Sequence, residues 1–246
     1  MSERVNVDLQ AKRALIRNAF NLHSATDAPT AYYALYHDPV RSALAIGVND
    51  GFVGRFQTGI DLFRPLIAMQ CYAPEPAANL MAEVLTAGRS YLFFAALSQL
   101  PFVGGSLVLS HERVLSIYTL EPAKFVSEIN VTVLDKTAPD GTPRCEIAAA
   151  PGKNEPIAVA GVNWQSPGFA EVYVHTQPEF RGHNYGQRVL TRITERVLKG
   201  GRIPLYLVEP NNEPSVKLAT KIGYVDSGAR QIMADAVYQG HPGRRL

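Results

Sequence analysis

The strongest constraint on this chain lies between residues 170 and 199, where the hydrophobic period changes from that of a strand to that of a helix across a short turn. Ala170 to Thr176 reads as a strand, and Val189, Leu190, Ile193, Val197 and Leu198 recur at helical spacing until Gly200-Gly201 stops the run. Between them stand Gln177-Pro178-Glu179-Phe180 and then Arg181-Gly182-His183-Asn184-Tyr185-Gly186. This order brings successive backbone N–H groups to a helix N-terminus, where unpaired amides and the positive end of the macrodipole suit an anion. Arg181 adds a cation, although an Arg-Gly turn also serves as a plain connection. A P-loop is excluded because no Gly-Lys-Ser/Thr follows. A dinucleotide fingerprint is excluded because three spaced glycines after a βαβ strand are missing.

The segments upstream read as antiparallel hairpins. Ala138-Pro139-Asp140-Gly141-Thr142-Pro143 punctuates two apolar runs, Ile129 to Leu134 and Arg144 to Ala149. Gln165-Ser166-Pro167-Gly168 joins Ile157 to Trp164 with Ala170 to Thr176. Downstream, Ile203 to Val208 reads as a strand and Pro214 to Ile222 as a short helix closed by Gly223. Tyr224 to Ser227 and Ala229 to Tyr238 then read as a final strand pair. The N-terminal half predicts helices at Asp8 to Leu22 and Pro76 to Ala87. Its predicted strands are Ala43 to Val48, Gly51 to Gln57, Ile67 to Cys71, Tyr91 to Ala96 and Val114 to Leu120. It carries no phosphate-binding glycine motif of its own.

Charge excludes a nucleic-acid surface, since residues 1–126 carry 10 basic and 10 acidic side chains and residues 127–246 carry 14 and 12. Cys71 and Cys145 stand far apart without metal-ligand spacing, so neither a disulfide framework nor a metal site is expected. The charged N-terminus lacks a signal-peptide core, which favours the cytoplasm. Ser90 to Ser110 is uncharged, but Gln99, Pro101 and Gly104-Gly105 interrupt it. It reads as a buried strand, a turn and a second buried element, and no membrane partner is expected.

On two motifs the sequence resembles the GCN5-related N-acetyltransferases. Val174-His175-Thr176-Gln177-Pro178-Glu179-Phe180-Arg181-Gly182-His183-Asn184-Tyr185-Gly186 matches all but one fixed position of V-x-T-x-P-E-x-R-G-x-G-Y. About 30 residues on, Asn212 to Tyr224 looks like the family's second signature, N-x-x-(A/S)-x-x-L-Y-x-x-x-G-(F/Y). The resemblance covers roughly residues 127 to 238. It implies an α/β (α+β) fold with a mixed, mostly antiparallel sheet flanked by helices over 127–246. Residues 1–126 would form a second α/β domain, by analogy a degenerate copy or partner of the same fold.

The resemblance further implies an acetyl-coenzyme A-dependent N-acetyltransferase. Coenzyme A would be bound as cosubstrate, and no metal is implied. The cofactor would lie between the strand ending at Thr176 and the strand Ile203 to Val208. Val174, His175 and Thr176 would hold the pantetheine arm; Arg181, Gly182, His183, Asn184, Tyr185, Gly186 and Gln187 the pyrophosphate. Asn212 and Ser215 would contact the arm from the other side. Two positions depart from the pattern: Asn184 replaces the central glycine, and Ala219 replaces the tyrosine that often protonates the departing thiolate.

Transfer of an acyl group to an amine needs a neutral amine, a polarised carbonyl and an outlet for the thiolate. Glu171, Glu209 and His175 are candidate bases. The carboxylates also read as ordinary strand-end charges and His175 as a surface histidine. Tyr185 and Tyr224 are candidate acids. Residues 171, 173 and 175 share one face of their strand. Trp164 reads as a packing residue or as part of an acceptor pocket. The acceptor is an amine on a small molecule or a peptide, and the chain is expected to be a monomer or a homodimer. A non-catalytic coenzyme A sensor or scaffold, or a transferase of another acyl group, stands as the alternative.

Overall fold

A computed structural model describes residues 2–47, 49–127, 130–149, 155–241 and 243, the side chains of residues 2–7 excepted. The first elements in chain order are α1 (Ser2–Ile16), α2 (Ala28–Ala31), β1 (Ser42–Gly47), β2 (Gly51–Phe56), β3 (Leu66–Cys71), α3 (Pro74–Val84), β4 (Ser90–Ala96) and β5 (Leu107–Leu120). There follow β6 (Leu134–Thr137), β7 (Pro143–Ile147), β8 (Ala158–Gln165), β9 (Phe169–Thr176), α4 (Tyr185–Lys199), β10 (Ile203–Val208), α5 (Glu213–Ile222) and β11 (Tyr224–Tyr238). They form two compact units. One comprises residues up to Leu115 together with those from Arg230 onward; the other runs from Ser116 to Ala229.

This division differs from the boundary at 126/127 expected from the sequence. The chain end from Arg230 returns to the first unit, where Gln231 to Val237 pair antiparallel with Ala96 to Ser90. Residues 116–126 belong to the second unit, where the Glu121 and Val126 amides donate to Gly223 and Ile222 carbonyls at 3.0 and 3.1 Å.

In the first unit β1, β2 and β3 pair antiparallel in succession, α3 crosses over, and β4 returns parallel to β3 at Leu66↔Leu92 and Ile67↔Phe93. β-branched, aromatic and sulfur-containing side chains on these strands meet Leu80 and Met81 of α3 in one core with Ile67, Met69, Tyr91 and Phe93. The parallel pairing is short. Beyond it the Cys71 amide donates to the buried Gln99 Oε1 at 2.8 Å, so a side chain satisfies a backbone group that a neighbouring strand would otherwise pair.

The second unit repeats this order, with β8, β9 and the crossover helix longer than their counterparts: β7, β8 and β9 antiparallel in succession, α4 as crossover, and β10 parallel to β9. Val189, Leu190, Ile193 and Val197 of α4 are the apolar face expected from their spacing, and they pack on Cys145, Ala160 and Val172. Each unit is thus a mixed, mostly antiparallel sheet flanked by helices.

Several boundaries differ from expectation. The first hairpin strand lies at Leu134–Thr137 rather than before Leu134, pairing Leu134↔Glu146 through Thr137↔Pro143; all four of its residues are exposed, so no apolar alternation marks it. The final strand pair is one continuous β11. Gly228 (φ +81°) bends it without reversing it, because Asp226 accepts from the Gly228 amide at 2.9 Å and the Ser227 hydroxyl donates to Ile117 O at 2.7 Å. After β4 and a 3₁₀ segment, β5 begins at Leu107 and is exposed from Ser110 to Val114, so the second element of the uncharged stretch is only buried at its start. Val48 and Ile129, at the ends of two expected strands, lie outside the described residues. Among the described residues no helix is long and apolar enough to cross a membrane.

His37 is 6% exposed, its ring set against Phe56 and Tyr33 at 5.3 and 5.9 Å between centroids and its Nδ1 2.8 Å from Ser42 Oγ. Desolvation, only partly offset by Asp38, lowers its pKa to about 4. The unfolded imidazole takes up its proton near 6.5, so between these values the unfolded state binds more protons and stability falls as pH falls. The loss approaches roughly 2 kcal/mol once solvent screening is allowed for. Thermal melts between pH 7 and 4.5 will show a steeper fall in Tm for wild type than for His37→Gln, whereas parallel curves would acquit His37.

Candidate functional site

The site is built where β9 and β10 part. Their parallel register holds only at Ile203↔Phe169, Pro204↔Ala170 and Leu205↔Glu171. Past Glu171, β9 continues to Thr176 paired with β8 on its other edge, and β10 continues to Val208 paired with β5. The open edge of β9 leads into the turn. After the 3₁₀ segment Pro178–Phe180, Arg181 to Asn184 carry the chain into α4, with Gly182 at φ +82° and Asn184 at φ +60°. Gly182 is needed for its left-handed backbone. Gly186 is needed for space, because a Cβ there would stand 2.9 Å from Thr176 Oγ1. Asn184 forms no side-chain cap, so its carboxamide does not occupy the amides of the first turn of α4.

A cavity of about 560 Å³ opens over this turn. Val174, His175, Thr176, Arg181, Gly182, Asn184, Tyr185, Gly186 and Gln187 line it from β9, the turn and α4, and Asn212 and Ser215 from the start of α5. Those eleven of the twelve cofactor positions expected from the sequence are brought together. The exception is His183, whose ring stacks on Tyr185 with centroids 5.8 Å apart and whose Nδ1 lies 3.0 Å from Arg181 O; it supports the turn and does not line the cavity. Arg181 Nε donates to Thr176 O at 3.4 Å, keeping the guanidinium beside the strand end. Asn212 caps α5, its Oδ1 accepting from the Ser215 amide at 3.3 Å.

Sequence reasoning missed Phe180, Lys217 and Lys221, which also line the cavity. The signal for the lysines was their i,i+4 spacing, which sets both on one face of α5. With Arg181 they make the wall cationic, Lys217 being paired with Glu213 at 3.0 Å, and among the described residues no Asp or Glu lines it, which suits a polyanionic ligand.

The candidate catalytic groups separate. Glu171, at the last paired position, is held by Asn163 Nδ2 at 2.8 Å and by the Trp164 indole N–H, beside an irregularity in the β8–β9 register. Burial raises its carboxyl pKa against the lowering effect of these donors. Trp164 is thereby explained: it is 3% exposed and orients a carboxylate as well as packing. The three-residue face does not enter the cavity as a group. Glu171 turns to β8, Tyr173 covers Gly161, where a Cβ would meet its hydroxyl at 2.7 Å, and only His175 lines the cavity. Glu209 follows β10 in a turn closed by its own carbonyl and does not line the cavity.

Of the two tyrosines, Tyr185 lines the cavity and Tyr224 does not. Tyr224 is fully buried, its hydroxyl 2.7 Å from Thr194 Oγ1, and burial pushes its pKa above the usual phenol range. It is a core residue, which removes it as an acid.

Residues 153–231 match the family model described as FR47-like protein. No curated protein matches the chain in sequence. Solved structures with the same fold include a Drosophila protein (TM-score 0.67, 11% identity, 96% of this chain and 97% of that one). A GCN5-related N-acetyltransferase from Kribbella flavida is similar at TM-score 0.60 and 13% identity, over 84% and 92% of the two chains. A tandem GNAT protein from the clavulanic acid biosynthesis pathway is similar at TM-score 0.59 and 11% identity, over 97% and 96%.

The left-handed backbone at position 184 makes a direct prediction. Asn184→Gly will keep or raise the melting temperature, whereas Asn184→Val will cost about 1–2 kcal/mol of stability. Melting curves of the two variants check this, and equal behaviour would show that the turn does not depend on its φ.

Proposed function

We propose, for a chain whose C-terminal half belongs to the GCN5-related N-acetyltransferase family, that it moves an acetyl group from the coenzyme A thioester to a primary amine. The observation that carries this reading is the divergence of β9 from β10 into a cationic cavity closed by a glycine turn at a helix N-terminus. The residues fit the cofactor. Gly186 leaves room for close approach, the first turn of α4 offers amides to a pyrophosphate, and Arg181, Lys217 and Lys221 supply countercharge. The free edge of β9 at Val174 and Thr176 would hold the pantetheine amides, and Asn212 and Ser215 face them from α5.

Glu171 is the base this geometry favours. It stands where the strands part, and its carboxylate is oriented by Trp164 and Asn163. Burial also raises its pKa, which strengthens it as a proton acceptor. Its part is to take the proton of the attacking ammonium, directly or through water. His175, at the cavity wall, is the second choice.

Calorimetric titration with coenzyme A, followed by acetyl-coenzyme A with a panel of amines and a free-thiol readout, tests the reading. Binding and amine-dependent thiol release are expected. Glu171→Gln should lower kcat/KM by roughly 100- to 10,000-fold with coenzyme A affinity unchanged. The acid limb of the wild-type pH profile should lie above the ordinary carboxylate range, with activity falling as pH falls through it. No binding would sink the proposal. Binding without thiol release on any amine would leave the coenzyme A sensor, the reading that Ala219 favours.

A further inference from the structure

The loop between β2 and β3, residues 57–65, is braced by its own polar groups and yet turns its largest side chains outward. Asp61 Oδ1 accepts from the Phe63 and Arg64 amides at 2.8 and 2.9 Å, Asp61 Oδ2 accepts from Arg64 Nε at 2.8 Å, and Arg64 Nη1 reaches Asp235 at 2.6 Å. Gln57 Nε2 closes the base of the loop on Leu62 O at 3.1 Å. Within this frame Ile60, Leu62 and Phe63 are 56%, 78% and 84% exposed, and Val40, beside the base of the loop, is 84% exposed. Exposed apolar side chains ordinarily stand singly. Three within four residues of a braced loop present a surface for which water is a poor partner.

The residues at the two feet of this loop, Gln57 and Pro65, also line a cavity of about 150 Å³ with Val40, Arg41, Ala43 and Arg55. Ala43 pairs with Arg55 across β1 and β2, and the Gln57 amide donates to Arg41 O at 2.8 Å, which carries the ladder one step further. Directly paired residues share a face, so Ala43 and Arg55 stand together, and the methyl of Ala43 is too short to fill the space. Among the described residues no Asp or Glu lines this cavity. Arg41 meets Asp38 at 3.6 Å with both side chains largely exposed, an ion pair that contributes little. The half-buried Arg55 guanidinium has no hydrogen bond or ion pair among the described residues. A cation partly withdrawn from water without a countercharge favours an anion brought from outside.

We propose that this face of the first unit rests on an anionic lipid surface, with Ile60, Leu62 and Phe63 entering the boundary between headgroups and acyl chains and a lipid phosphate held by Arg41 and Arg55. The apolar loop and the arginine cavity meet at Gln57 and Pro65, so an occupant has to satisfy both. A free phosphate satisfies the cavity alone, and an apolar protein groove the loop alone. A bilayer with anionic headgroups offers both chemistries side by side. Asp61 does not oppose it, because Arg64 and two backbone amides take up its charge. That no helix among the described residues can cross a membrane does not bear on it, since the loop attaches to the surface. The proposal stands apart from the acyl-transfer reading of the second unit.

The test is sedimentation of the full chain with vesicles of phosphatidylcholine alone and with vesicles in which roughly one lipid in four is phosphatidylserine. Wild type is compared with Leu62→Ser/Phe63→Ser and with Arg41→Gln/Arg55→Gln, and melting curves establish that each variant is folded. Wild type should partition at least about tenfold more strongly onto the anionic vesicles, and added salt should weaken that binding. The serine pair should lower partitioning by at least about tenfold, and the glutamine pair by roughly 10- to 30-fold on the anionic vesicles. Wild type left in the supernatant with both kinds of vesicle overturns the inference, as does anionic binding that either pair of substitutions leaves unchanged. Without vesicle binding, two results would also name the true occupant. A self-association that the serine pair abolishes would assign the loop to a second copy of the chain. A rise in wild-type Tm with inorganic phosphate, lost in the glutamine pair, would assign the cavity to a free anion.

Discussion

The second unit depends on one constraint: β9 and β10 can leave each other without leaving the sheet. Three parallel pairs join them. Beyond these, β9 keeps its hydrogen bonds to β8 as far as Thr176, and β10 keeps its own to β5, from Leu205↔Thr119 to Val208↔Ser116. Each strand is anchored on its outer edge, so parting removes only the inner ladder. Backbone groups left there need partners, and a ligand carrying amides in an extended arm is chemically a substitute strand. α4 enforces the split at one end, because its buried face fixes it on β7, β8 and β9 while its first turn stands at the mouth of the gap. The anion-binding turn and the open strand edge therefore arise together from one topological choice.

The first unit shows the same choice closed by the protein itself. Its β3 and β4 also pair in parallel for a short distance around an α-helical crossover. There the Cys71 amide is taken by Gln99, supplied by the 3₁₀ segment that follows β4. The entry to α3 is equally different. Pro74 and Glu75 open the helix three residues after Cys71, with no glycine turn between and with a carboxylate in the first turn, which disfavours an anion there. The repeated order supports the reading of the first half as a copy of the same fold, and these substitutions explain why its sequence carries no phosphate motif.

Legibility in the sequence followed burial. The turn, α4 and α5 were readable because glycine conformations and a one-sided apolar period leave unambiguous marks, and the strands β8 and β10 because most of their residues are buried. β6 was misplaced because its four residues are exposed and polar or charged after Leu134, so the apolar residues before it drew the prediction. β11 was cut in two because Asp226-Ser227-Gly228 has hairpin composition, while a hydrogen bond from Ser227 to Ile117 and a local one from Gly228 to Asp226 hold it as a bend within one strand. The candidate acids were ranked by nearness in sequence, which sees Tyr185 and Tyr224. Tyr224 is near in sequence, but only its packing against α4 shows that its hydroxyl meets Thr194 in the core. The lysines of α5 were overlooked for the opposite reason, since an exposed charge on a helix is usually a solvated one.

The position of the proposed base follows from the same parting of the strands. The parallel ladder ends at Leu205↔Glu171, so Glu171 is the last residue of β9 held between two neighbours. Its carboxylate is desolvated and oriented by Asn163 and Trp164 of β8, so its proton affinity is raised. A carboxylate of raised proton affinity at the point where the ladder ends is the acceptor that an attacking ammonium requires.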